Sequence, residues 1–248
     1  MFLLLPLRFR SKGTRPRKRP LFLYKHTTRN MMSRKQRTYI YIDGFNLYYG
    51  AVKDTPYKWL DLKLLFEKLL HSSHEIQAIK YYTAKVSAHA NDIKAPIRQS
   101  TYLRALKAYI PECSIYYGHY LTHAVTLPLL NTTGYKREQF VKVLKSEEKG
   151  SDVNLAVHLL HDAWLDKYDC AVVVSNDSDL SESMRLAKQR NKKIGLVTPS
   201  SNRKRQPTKM LREYADFIKC IRIGLLKDSQ LPDIIPNTNI YKPKDWCL

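Results

Sequence analysis

Residues 171–180 read AVVVSNDSDL, and this stretch decides the fold. Its first half is a short, wholly apolar, β-branched run, the pattern of a strand buried on both faces. Its second half holds two carboxylates one residue apart, Asp177 and Asp179. Strands buried on both faces belong to parallel sheets covered by helices, so the acids are expected at the C-terminal end of a central strand.

Outward from this stretch, strand-like and helix-like segments alternate. Residues 38–43 (TYIYID) read as a strand ending in an acid and a glycine. Residues 60–70 have helical spacing with Asp61 near the start. Residues 75–86 read as a strand. Residues 96–109 read as a helix, with Pro96 in its first turn and Pro111 just past its end. Residues 113–121 read as a third strand. Ser151 is placed to cap a helix reaching about Leu165. Beyond the central strand follow a helix (180–190), a strand (193–197), a short helix (208–214) and a last strand (217–223). Residues 122–148 fit less well, with turn signals at Pro128 and Gly134 and a short extended piece over 140–144.

The alternation predicts an α/β three-layer sandwich with a mainly parallel central sheet. Right-handed crossovers then bring the strand C-termini to one edge, and ligands of such sheets bind in the crevice outside it. Three organisational units follow: a basic leader (1–37), an α/β domain (38–225) and a polar, Pro-containing tail (226–248) expected to be loose.

Acids converge on the predicted edge. Asp43 ends the first strand, Asp177 and Asp179 follow the central one, and Asp152 opens the helix before it. Each has a bland reading: Asp43 as a turn residue, Asp152 and Asp177 as caps, Asp179 as a first-turn acid. Capping does not explain why all four gather on one edge. At about 5 Å and an effective dielectric near 20, each pair repels by roughly 3 kcal/mol. A cation among them relieves this, and a set of hard oxygen donors without His or Cys favours Mg2+ or Mn2+ over zinc. Two such ions can clamp the attacking and leaving oxygens of a phosphodiester. Asn46, Ser175 and Ser178 are close enough in sequence to orient a carboxylate. His158 and His161, three apart, are read as core or surface residues, and Lys149 as a solvated lysine.

The charge agrees with a polyanionic partner. The chain of 248 residues carries a net +21. Twelve of its basic residues and no acid lie in residues 1–38, which leaves +9 for the rest. Met31 and Met32 offer a later start, so the arm carries little weight in the functional argument. Its opening MFLLLPL is a poor signal peptide, because the apolar run is short and the charges follow it. The four cysteines form no CxxC and no zinc spacing, and Cys170 and Cys220 read as core residues. A reducing, cytoplasmic location is expected, with no membrane span. A homo-oligomer is left open.

Three segments in order, IDGFNLYYG (42–50), KGSDVNLAVHLLHDA (149–163) and VVVSNDSDLSESMRLAKQRNKKIGLVTP (172–199), resemble the NYN domain of the PIN-like nuclease superfamily, the group that includes the LabA/DUF88 proteins. The resemblance covers roughly residues 38–223. It implies a PIN-like sandwich and an Mg2+- or Mn2+-dependent endoribonuclease, with Asp43, Asp152, Asp177 and Asp179 as metal-binding acids and Asn46 as the polar residue of the first motif. Asn176 stands where the family has a glycine, which is acceptable because Asn also adopts turn conformations. A second reading is a non-catalytic RNA-binding module, with paired tyrosines stacking on bases; the acids argue against it. A third, an aspartyl-phosphate phosphatase, lacks its second acid, since Phe45 stands two residues after Asp43.

Overall fold

A computed structural model describes residues 34–88, 92–129, 140–200 and 206–246. Six strands make the central sheet: β1 (Gln36–Asp43), β2 (His74–Thr83), β3 (Cys113–Tyr117), β6 (Cys170–Val174), β7 (Lys193–Thr198) and β8 (Phe217–Cys220). Their order is β3-β2-β1-β6-β7-β8, and every neighbouring pair is parallel. The order reverses between β1 and β6, which lie side by side with Ile42 opposite Val174. Strands leaving in opposite directions open a crevice at such a point.

The strands divide their side chains between two cores with period two. From β6, Cys170, Val172 and Val174 enter one core, while Ala171 and Val173 enter the other. The first core is closed by α2 (Leu62–Leu69) and α3 (Ala95–Tyr109), the second by α4 (Ser151–Trp164), α5 (Ser181–Gln189) and α6 (Lys209–Tyr214). The predicted three-layer α/β sandwich with a parallel sheet is therefore the observed fold.

Local signals held where side chain and backbone meet within a few residues. Asp61 caps α2, accepting from the Leu64 N–H at 3.0 Å, and Pro96 lies in the first turn of α3. At α4 the cap is Gly150, with φ of 92°, and Ser151 is the first helical residue instead of the cap. Only glycine takes that left-handed backbone without strain.

The structure departs from the sequence reading in further places, the C-terminal segment most of all. Residues 113–121 are not one strand: β3 ends at Tyr117 and, after Gly118, β4 (His119–Pro128) pairs antiparallel with β5 (Phe140–Lys149) in a separate two-stranded sheet. The short extended piece over 140–144 is thus part of a longer arm. The last strand stops at Cys220, and 223–227 form a short helix, α7 (Ile223–Lys227). Cys220 is half-buried, whereas Cys113 and Cys170 are buried.

The largest departure is the expected loose tail. Leu226, Leu231, Ile235 and Ile240 are buried in the first core, and Trp246 packs on Trp59 and Tyr102 with ring centroids 6.2 Å away. Backbone bonds run both ways, Leu231 N–H to Trp59 O and Asp61 N–H to Ser229 O, each 2.9 Å. The Trp59 indole N–H donates to Pro232 O at 2.8 Å. Apolar residues spaced irregularly among prolines give no periodic signal, yet they reach the first core. Most of the leader, 1–33, lies outside the described residues. Among the described residues no helix is long and apolar enough to cross a membrane.

One glycine matters for the sheet edge. A Cβ on Gly44, just after β1, would lie 2.7 Å from Tyr82 O and from the Tyr81 ring. Backbone cannot yield as a side-chain tip can, so Gly44→Ala is expected to destabilise the fold by about 1–3 kcal/mol, read as a lower urea midpoint.

Candidate metal centre

The edge residues come from three elements that the strand order makes neighbours. β1 delivers Asp43, and the single turn α1 (Gly44–Leu47) carries Asn46 straight after it. β6 delivers Ser175, Asn176 and Asp177, and a 3-10 turn (Ser178–Leu180) carries Asp179. The first turn of α4 delivers Asp152.

Asp152, Asp177 and Asp179 converge, each offering an oxygen within 4.8 Å of the others'. Asp152 and Asp177 are half-buried and Asp179 is exposed. Asp177 does two things at once. It caps its own turn, accepting from the Asp179 N–H at 3.0 Å, and it faces the other two acids. Capping and clustering are therefore not alternatives here. Asp152 accepts from the Val153 N–H at 2.8 Å.

Asp43 is not among the three acids whose oxygens come within 4.8 Å of one another, and it is buried. Its Oδ1 accepts from the Asn46 N–H at 2.9 Å. Its Oδ2 accepts from the Asn46 side-chain amide at 2.6 Å and from the Ser175 hydroxyl at 3.2 Å. Burial pushes its carboxyl above the usual aspartate range; the Asn46 and Ser175 bonds pull it back, and the Asp177 charge pushes it up further. Asp43 thus touches the triad through other groups. Ser175 Oγ, which it orients, accepts from the Asp177 N–H at 3.1 Å, and Asn46 Oδ1 accepts from the Asn176 N–H at 3.3 Å. Asn46 and Ser175 tie the end of β1 to the end of β6.

Asn176 does not take a positive φ, so its tolerance of turn conformations is not what places it there. Its own Oδ1 is buried without a hydrogen-bond partner among the described residues. A cavity of about 290 Å³ opens beside it, lined by Phe45, Asn46, Tyr49, Thr198 and Pro199 among others.

The histidine pair has no part in the centre. His158 Nδ1 pairs with the Tyr82 hydroxyl at 3.0 Å, and its ring lies 4.4 Å from that of Tyr116. Burial lowers its basicity, with the Lys80 charge adding to the effect. Lys149 pairs with Glu147 at 3.4 Å.

One ionic group gave no signal in the sequence. Asp162, in the last turns of α4, has a side chain 1% exposed. It accepts from the Tyr41 hydroxyl at 2.8 Å and pairs with Lys80 and, at 3.2 Å, with Lys167. The Lys80 ammonium also lies 5.7–5.9 Å from the ring centroids of Tyr39, Tyr41 and Tyr116. Its partners come from β1, β2 and the turn after α4, so no local spacing reveals it.

A parallel sheet with an acidic triad at its point of reversal defines an α/β domain of the PIN-like nuclease type. The NYN domain family matches residues 37–223, and the chain belongs to that family. A 6-hydroxy-3-succinoylpyridine 3-monooxygenase of Pseudomonas putida is 35% identical over 244 residues, covering 88% of this chain and 78% of that protein. A crystal structure of a protein of unknown function from Vibrio parahaemolyticus shares the fold, with a TM-score of 0.50 and 18% identity over 80% of this chain and 98% of that one.

Proposed function

We propose that the protein is an Mg2+- or Mn2+-dependent ribonuclease that hydrolyses RNA phosphodiester bonds. The observation that carries this is the convergence of Asp152, Asp177 and Asp179 where the strand order reverses. The donor set fits the ion: three carboxylates, with no nitrogen or sulfur donor in the cluster. These three acids would hold it. When bound, a divalent ion supplies charge neutralisation and Lewis-acid polarisation of a phosphodiester.

The chain's own residues do the rest. Three bare carboxylates repel a phosphate, so the acids make cleavage conditional on a cation. Asp177 is fixed by its own turn before any substrate arrives, which lowers the reorganisation cost. Asp43 acts indirectly, holding Asn46 and Ser175 so that the two strand ends keep their spacing. The +9 charge that remains without the N-terminal arm favours an RNA partner.

Incubating the full chain with mixed RNAs in Mn2+, Mg2+ or EDTA tests the reading. Shortened RNAs are expected only in the metal-containing reactions; intact RNA under all three conditions overturns it. Asn46→Ala removes both bonds that its side chain makes between Asp43 and Asn176. It is expected to lower the Mn2+-dependent rate about 10–100-fold, measured as initial cleavage rates across a Mn2+ titration, while the urea midpoint stays near that of the parent.

A second reading is favoured by the relative at 35% identity, which is named a monooxygenase. On this reading the chain hydroxylates a heteroaromatic acid, inserting one atom of dioxygen and reducing the other to water with two electrons from a reductant. Hydroxylated product from a pyridine acid, formed with dioxygen and a reductant by a chain that leaves RNA intact, would select it.

A further inference from the structure

A second cavity of about 290 Å³ shares Phe45 and Tyr49 with the one beside Asn176. Its size is at the small end for ligand pockets, which run from roughly 300 Å³ upward, and suits one ring system. Aromatic rings supply much of its wall. Phe45 and Tyr49 stack with 19° between their planes, Tyr120 of β4 meets Phe45 edge-on at 6.1 Å, and Tyr102 and Trp246 close another side. The cavity is thus shared between the sheet edge, α3, the hairpin arm and the C-terminal segment.

Two polar features of this wall are available to a ligand. Tyr81 is 7% exposed, and the end of its ring lies at Gly44 on the cavity wall. No hydrogen bond to its hydroxyl occurs among the described residues, so the group is free to meet a ligand in the cavity. Lys53 and Lys58 line the cavity with no carboxylate partner among the described residues. Lys53 sits over the Tyr49 ring at 5.2 Å, and Lys58 donates to Thr55 O at 2.7 Å. Arg98, also in the wall, is already engaged by Asp92 and Asp245.

Flat aromatic walls favour a planar ring, the free hydroxyl favours a ring heteroatom or exocyclic oxygen, and the two lysines favour an anionic substituent. We infer that this cavity binds a single planar heteroaromatic ring bearing an anionic group, seated against Tyr81 with its charge toward Lys53 and Lys58. That chemistry has two sources, a nucleotide unit of RNA and a free heteroaromatic acid.

Calorimetric titration of the full chain in EDTA, where no metal-dependent cleavage occurs, separates this inference from the ribonuclease reading. The probes are AMP, UMP, nicotinate and, as a ringless control, ribose 5-phosphate. One-to-one binding of at least one ring-bearing anion is expected, with a Kd below about 1 mM, and none of ribose 5-phosphate. Tighter AMP or UMP assigns the site to a nucleotide; tighter nicotinate assigns it to a free acid. Tyr81→Phe removes only the unpartnered hydroxyl, so it is expected to weaken binding about 3–10-fold without lowering the urea midpoint. Ala95→Phe, at the half-buried start of α3 on the cavity wall, is expected to block binding. Failure of all three ring-bearing probes, or binding unchanged in both variants, overturns the inference.

Discussion

Asp177→Asn is expected to abolish metal-dependent RNA cleavage, lowering the rate by roughly 10²–10³-fold or more, while the thermal midpoint holds or rises. The side chain keeps a cap acceptor for the Asp179 N–H, so the turn survives. What is lost is one of the three charges of the acidic cluster. Asp152→Asn is expected to fall just as far, and the double variant scarcely further, because groups that act as one unit are not additive. Mn2+ binding followed by calorimetry should weaken in step with activity. Full activity in the double variant would remove the triad from the reaction. Asp43→Asn gives a different pattern: with both oxygens already hydrogen-bonded, it should slow cleavage mainly by disturbing Asn46 and Ser175, with a smaller loss of Mn2+ affinity.

Asp162→Ala is expected to cost the most stability, about 3–5 kcal/mol, because it strands the Lys80 ammonium beneath α4 without its partner. For a chain of this size that lowers Tm by roughly 6–20 °C. Lys80→Met combined with Asp162→Leu should recover part of the loss, since no buried charge is left and only the Tyr41 hydroxyl loses its acceptor. The pH dependence has a defined sign. Burial alone would raise the Asp162 carboxyl, but hydrogen bonds from Lys80, Tyr41 and Lys167 overcome it and hold the group below its usual 3.8. The folded state therefore binds this proton less readily than the unfolded chain. The stabilisation is complete above 3.8 and is lost as pH falls through the depressed folded value. Tm measured against pH should show the parent losing this increment below pH 4, and the double variant lacking that part of the fall.

The parts of the site that could be read in advance are those encoded within one strand end. VVVSNDSD states both its burial and its acids in eight residues, and IDGFN does nearly the same, down to a glycine that the Tyr82 carbonyl makes necessary. Asp152 could be read from its place at a helix start. The division of labour among the four acids could not. Asp43 and Asp177 look alike in sequence, each the acid at a strand end, but the register of β1 against β6 places Ser175 on Asp43 and leaves Asp177 facing Asp152. The hairpin of β4 and β5 was partly hidden because β4 runs straight on from β3, and only Gly118 separates them.

The sequence by itself determined the α/β class, the parallel sheet and the edge on which the acids collect, because period-two burial, helix caps and strand-end acids are local properties of the chain. Three features come only from the packed chain: that Asp152, Asp177 and Asp179 face one another while Asp43 is held by Asn46 and Ser175, that the Pro-dotted C-terminal segment reaches the first core, and that Asp162 is a buried ion-pair centre. All three depend on residues brought together from distant elements. Their interactions are set by strand order and register, which no window of sequence contains.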